Sequence, residues 1–209
     1  SLFPFKLQSS GLEQLSGALV QDSVAMIGGT KFRAQGTTLI THNGVSGPCI
    51  LRLSSYAARY LAEHGYTAPL VMNWLGDTTE EEALQMLKDM AKENAQKMVQ
   101  NTHPEQLTSR HWEHLVQRAG IGKEVRWNGM GQKQMNRLAS VLTSDKYQIV
   151  GRVPHKEEFV TAGGVSLNSI SSTTLECKTR PGLYFAGEVL DVDGVTGGFN
   201  LQAAWTMAD

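Results

Sequence analysis

Two periodicities alternate along this chain. From Ala18 to Ile27 and from Lys31 to Thr41, β-branched and aliphatic residues dominate on either side of Gly28-Gly29-Thr30, which predicts a β-hairpin. Gly36, inside the return arm, marks a candidate bulge. YTAPLVMNWL, from Tyr66 to Leu75, predicts a third strand; Pro69 lacks an N–H and favours a sheet edge or a bulge there. Lys146 to Val153 and Glu157 to Val165 flank Pro154-His155 and predict a second hairpin, which brings the strands to five.

Between the third strand and that hairpin the period changes to three and four. After Asp77, TTEEEALQMLKDMAKENAQKMVQ carries acidic residues in its first turn and places Ala83, Leu84, Leu87, Met90, Ala91 and Met98 on one face. Thr79 and Glu82 have capping-box spacing. Two shorter helices are predicted over Ser109 to Ala119 and Gly131 to Leu142, and the three together predict a helical subdomain, since each apolar stripe needs a partner. Another helix begins within THNGVSGPCILRLSSYAARYL. Ser46 is its candidate cap, Gly47-Pro48 opens its first turn, and Ile50, Leu53, Ala57 and Leu61 form one face before Gly65 ends it.

Composition narrows the function classes. With 41% hydrophobic and 19% charged residues the chain suits a folded core. A net charge of -1 and the lack of any Lys/Arg run leave no footprint for nucleic acid or an anionic membrane. No apolar run reaches the length of a membrane span, and SLFPFKLQ has no signal-peptide regions, so a cytoplasmic protein is expected. Cys49 and Cys177 sit in unlike contexts and are expected to be reduced, with packing roles. His111, Glu113 and His114 lack a third ligand and read as a solvated helix face rather than a metal site. Asp191-Val192-Asp193-Gly194 has its glycine at the wrong position for a calcium loop, so no metal is expected.

The densest chemistry lies in PGLYFAGEVLDVDGVTGGFNLQAAW, from Pro181. LYFA reads as a short buried strand delivering Gly187-Glu188 to a sheet edge. Gly197-Gly198 then lets backbone approach a flat ligand at the positive end of a helix starting near Asn200. Such an arrangement suits the electron-rich edge of a flavin, although a loop that merely turns sharply has the same composition. Without parallel neighbours, LYFA is also open to pairing with another chain, a route to dimerisation.

THNGVSGPCILRLS, EEFVTAGGVSLNSI and GLYFAGEVLDVDGVTGGFNLQAAW, in that order, closely resemble the YhiN/BaiN group of bacterial NAD(P)/FAD-dependent oxidoreductases, and the resemblance runs from FPFKL to the end of the chain. In that group an N-terminal Rossmann-type segment carries GxGxxG; here Gly28-Gly29 and Gly163-Gly164 have neither its spacing nor its context. The resemblance therefore implies a portion of a longer flavoprotein. Its fold class is α+β: a β-barrel-like insert domain over residues 1–158, with a helical subdomain at about 77–143, followed by residues 159–209 as part of a Rossmann-like FAD-binding region. The sequence stops at Asp209, about two turns into the last helix, which agrees with that reading.

The resemblance also implies site residues. Thr161, Gly163 and Gly164 line the flavin's neighbourhood, Gly187 and Glu188 lie near its ribityl and pyrophosphate groups with Asp193 close by, and Gly197, Gly198, Phe199, Asn200 and Leu201 meet the ring through backbone amides. FAD is the implied cofactor and NAD(P)H the electron donor. A small organic molecule is the implied substrate, and an FAD-binding domain of the same polypeptide the implied partner. The flavin carries the redox chemistry, so the chain alone is expected to be inactive. No acid or base stands out: His42 and Tyr184 are present, and a lone His beside a glycine-rich turn is more often structural. The alternative class is a non-catalytic ligand-binding or protein-interaction module.

Overall fold

The computed structural model describes residues 2–153, 162–195 and 198–208. Six strands, β1 (Phe5–Leu7), β2 (Leu19–Ile27), β3 (Arg33–Thr41), β4 (Gly44–Ser46), β5 (Ala68–Asn73) and β6 (Asp145–Arg152), close into a barrel in the order β1-β4-β3-β2-β5-β6. Every pairing is antiparallel, and β6 returns to β1 through Phe5 opposite Arg152 and Lys6 opposite Gly151. The fold is thus mixed α+β, a closed barrel joined to helices, as the resemblance implies.

The first hairpin forms as predicted. Its bulge is displaced from Gly36: the register slips between Val20 and Ser23, so the extra residue belongs to β2 and Gly36 lies opposite Ser23. The slip turns Ser23 inward, where its hydroxyl bonds the Gly36 carbonyl at 2.9 Å and shares a 2.7 Å bond with Thr38 Oγ1. Pro69 corrects the edge expectation, because β5 is paired on both sides. Its carbonyl accepts from Gly28, one residue beyond the last β2 partner, so the missing N–H points to where β2 has already turned away. The partners of β6 are β5 and β1 rather than a hairpin arm, and residues 157–161 of the arm predicted over 157–165, with the turn before them, lie outside the described residues. β1 and β4 escaped the sequence reading because three residues are too short to show a period.

The helices are α1 (Pro48–Tyr56), α2 (Ala58–Glu63), α3 (Glu80–Glu93), α4 (Ser109–Arg118), α5 (Gln132–Thr143) and α6 (Phe199–Ala208). Gly47, not Ser46, occupies the cap position of α1; Ser46 is spent as the last residue of β4. At φ 91° a side chain on Gly47 would sit 2.8 Å from the Thr37 carbonyl, so glycine is what lets α1 start flush against β3. Ile50, Leu53 and Leu61 are fully buried on the predicted face, each contributing about 1.5–3 kcal/mol. The Thr79–Glu82 capping box opens α3 as predicted. α3 stops at Glu93, short of the predicted Met98, because the Asn94 side chain donates to the Met90 carbonyl at 2.9 Å and ends the ladder. α3 packs on α5, and α4 packs on α5 and on the loop around Val99.

Candidate functional site

LYFA does not form a buried strand: Leu183 is 39% and Tyr184 60% exposed, and Tyr184 makes a single bridge to Glu176. Its neighbour is the short segment 175–177, through Cys177 N–H to the Leu183 carbonyl at 2.7 Å and Phe185 N–H to the Leu175 carbonyl at 3.1 Å, a pairing too brief to form a sheet that would bury it. Instead, residues 162–195 and 198–208 build a small lobe joined by isolated bridges, with Ile170 and Leu190 buried among them. Val165 N–H donates to the Val189 carbonyl at 2.9 Å and Asp191 N–H to the Val165 carbonyl at 3.0 Å. This lays Gly163-Gly164 directly along residues 189–191. A side chain on Gly164 would meet the Val189 carbonyl at 2.6 Å, so the two segments touch only because position 164 is glycine.

Gly187 opens a single 3-10 turn, Gly187–Val189, at φ 78°, and its open side faces the Ala204 methyl of α6. Glu188 projects from this turn and is exposed, while Asp193 is half-buried in the following loop; both have interactions with neighbouring groups. The Asn200 side chain is committed to its own loop: Gly194 N–H donates to Oδ1 at 2.6 Å and Nδ2 donates to the Gly194 carbonyl at 3.1 Å. That clamp fixes the entry into α6. Gly198, at φ 83°, has open space on its free side, and Phe199 and Leu201 are 59% and 79% exposed. Of the candidates, Thr161 and Gly197 lie outside the described residues. The others converge on this lobe, which is tied to the barrel side by Arg59 of α2 bonding Asp191 at 2.6 Å. Gly187 thus lies against the body of α6 at Ala204, while the Gly194 loop meets the first residues of that helix through Phe199 and Asn200.

His42 stands apart, exposed in the β3–β4 turn, where it lines a shallow cavity of about 230 Å³ with Lys6, Glu13 and Asn43. His111 overturns the expectation of a solvated helix face. It is 1% exposed, packs edge-on against Trp74 with ring centroids 4.6 Å apart, and neither ring nitrogen has a protein partner. Burial, with the nearby His114 adding to it, drives its pKa down to about 3. His114 is shifted the same way, first by burial and then by Arg118. Cys49 packs as expected, with its thiol pushed up by burial, whereas Cys177 is partly exposed and held below the usual thiol range by hydrogen bonds from Thr179. Among the described residues no group of three or more His, Cys, Asp or Glu is arranged to hold a metal ion, and no helix is long and apolar enough to cross a membrane.

The barrel and its helical neighbours match a described family: residues 1–160 correspond to the HI0933-like protein barrel and H2TH domain. The chain belongs to this family. It is 34% identical over 99% of its length to a ribosomal RNA dihydrouridine synthase of Escherichia coli and 31% identical over its full length to one of Haemophilus influenzae. It is 27% identical over 98% of its length to a 3-dehydro-bile acid delta(4,6)-reductase of Clostridium scindens. In each case the matched part is 49–50% of the relative, so this chain spans about half the length of the curated relatives it matches.

Proposed function

We propose that this chain is the barrel, helical and ring-contacting portion of an FAD-dependent reductase that saturates a carbon–carbon double bond conjugated to a carbonyl. The observation that carries the reading is the lobe in which Gly163-Gly164 lies along residues 189–191 and Gly187 lies against Ala204 of α6, in a chain whose relatives are named for reductive chemistry; we read these glycines and the N-terminal turn of α6 as one wall for a planar ring. A uridine and a dienone share the feature that matters: hydride addition to the carbon β to a carbonyl, with a proton delivered to the neighbouring carbon. A bound FAD would supply the hydride transfer from NAD(P)H to that carbon.

The chain's own residues then hold and orient. Gly163, Gly164, Gly187 and Gly198 leave backbone bare for close approach, Phe199 and Leu201 supply apolar contact, and Glu188 and Asp193 face hydroxyl-bearing parts of the ligand. Asn200 acts indirectly, by fixing the loop at Gly194. We place the boundary between barrel-side and flavin-side parts near residue 158, with the remaining flavin contacts on the other half of the polypeptide, so this chain alone is inactive.

For substrate we favour a uridine in ribosomal RNA, on the two relatives at 34% and 31% identity. A small conjugated enone is the second reading, favoured by the relative at 27%. The test uses the full-length polypeptide. It should be yellow, bleach when NADH or NADPH is added without oxygen, and regain its colour when the correct acceptor, uridine-containing rRNA or a dienone, follows. A colourless protein, or bound flavin that neither nicotinamide bleaches, would reject the reading.

A further inference from the structure

The whole-chain charge of -1 conceals a segregation. Residues 97–152 carry nine Lys and Arg against four Asp and Glu, an excess of five positive charges that the rest of the sequence cancels. Two of those four carboxylates are already taken: Asp145 is bound by Arg118 and Glu113 by Lys123. Lys133, Arg137 and Lys146 are exposed and make no ion pair among the described residues.

Arg137 and the backbone of Lys146 flank the end of α4, and Lys133 stands one turn of α5 before Arg137. Arg137 reaches over Gly120, with Nη1 3.2 Å from where a side chain on that glycine would begin. Lys133 precedes Arg137 by four residues on α5, hence on the same exposed face. Arg118 donates to the Lys146 carbonyl at 3.2 Å, which brings the first residues of β6 to the same corner. The surface is also poor in the other ingredient of a protein interface: every large hydrophobic residue that is well exposed lies before Ala57 or after Ile149, none on the helical subdomain. A protein partner needs an apolar centre, whereas a phosphate backbone needs only mobile cations.

The geometry points to the corner formed by Lys133, Arg137 and Lys146 as the surface that grips the RNA backbone, holding the substrate strand while the glycine-rich lobe serves the reacting base. This inference rests on the ribosomal RNA reading above. It is tested on the full-length protein with a fluorescein-labelled, uridine-containing single-stranded RNA, followed by anisotropy across a salt series. K133E/R137E should bind about tenfold or more weakly at moderate salt, and its plot of log affinity against log salt should be shallower by about 2, one phosphate contact for each cation lost. K146E should lose about half as much in slope. K31E, at the exposed tip of the first hairpin, should bind as the wild type does, and every variant should keep the wild-type rate of flavin bleaching by nicotinamide. RNA binding by the wild type that is unchanged in K133E/R137E overturns this surface and leaves the RNA reading standing. Failure of the wild type to bind RNA even at low salt overturns the RNA reading itself.

Discussion

The carboxylate of Asp145, at the start of β6, accepts the indole N–H of Trp74 at 3.0 Å, and through this bond the end of β5 is fixed to the strand beside it. Arg118 of α4 approaches the other carboxylate oxygen with Nε at 3.0 Å and Nη2 at 2.6 Å, and the Tyr147 hydroxyl donates to Oδ2. Asp145 is 2% exposed and Trp74 fully buried, so one carboxylate joins barrel to helical subdomain in a place where water cannot substitute for it. Asp145→Ala would strand an indole N–H, a phenol and a guanidinium at once. The expected loss is about 3–5 kcal/mol in urea unfolding, whereas Asp89→Ala, whose pair with Lys92 is solvated, should leave the unfolding midpoint almost unmoved. Equal losses for the two would show that the buried carboxylate does not organise this joint.

Acid should weaken the same region through His111. Its folded pKa of about 3 lies below the value of 6.5 that it takes when unfolded, so the folded state binds fewer protons across that interval. Stability attributable to His111 is complete above pH 6.5 and is lost as pH falls toward 3, at about 1.4 kcal/mol per pH unit, with His114 adding in the same direction. His111→Phe keeps the edge contact with Trp74 and removes both unpartnered nitrogens. Its melting temperature should fall less than the wild type's between pH 7 and pH 5; an identical fall would mean that His111 is not the group being titrated.

How much of this was legible in sequence depends on the range over which each feature is specified. The capping box at Thr79–Glu82 and the helices α4 and α5 are local, and their spacing named them to within a residue or two. Barrel closure is not local. It rests on β1 and β4, three residues each, whose pairing is set by partners about forty and a hundred and fifty residues away. The joint at Asp145 carried one faint signal, an acidic residue at a core position in the alternation of DKYQIV, but its meaning depends on Trp74 and Arg118 arriving from elsewhere. In the candidate site, close backbone approach was read at Gly197-Gly198, yet Gly198 has open space on its free side and Gly197 lies outside the described residues; the tight contact is at Gly164, which only the resemblance singled out. LYFA differs from the expectation in its exposure, since an apolar run has the same composition whether or not another layer covers it.

Closure of the barrel should be sensitive at Gly44. A side chain there, at φ 151°, would lie 2.2 Å from the Phe5 carbonyl and 2.8 Å from the Leu7 nitrogen, inside the β1–β4 pairing. Gly44→Ala should therefore separate β1 from β4 and cost about 3 kcal/mol or more, read by denaturant unfolding or as loss of soluble protein. Gly129→Ala is the control: nothing lies within 4 Å of the added methyl, and the effect should stay within about 0.5 kcal/mol. Parity between the two would show that β1 and β4 tolerate separation.

α6 is where the chain meets what it is proposed to serve. Phe199, Leu201 and Trp205 are 59%, 79% and 78% exposed, and none of the helix's described residues is buried. A helix of ten residues with no buried face is marginal in water, so its amides should exchange with solvent within seconds to minutes in the 209-residue chain, far faster than those of the barrel strands. In the full-length flavin-loaded protein the same amides should become protected, and Trp205 fluorescence should shift to shorter wavelength as the indole leaves water. The two states are compared by hydrogen exchange read by mass spectrometry on peptides covering 198–208. Protection already complete in the isolated chain, or unchanged on flavin loading, would mean that α6 has no role in assembling the site, and the proposed wall of glycine backbone at its N-terminus would lose its support.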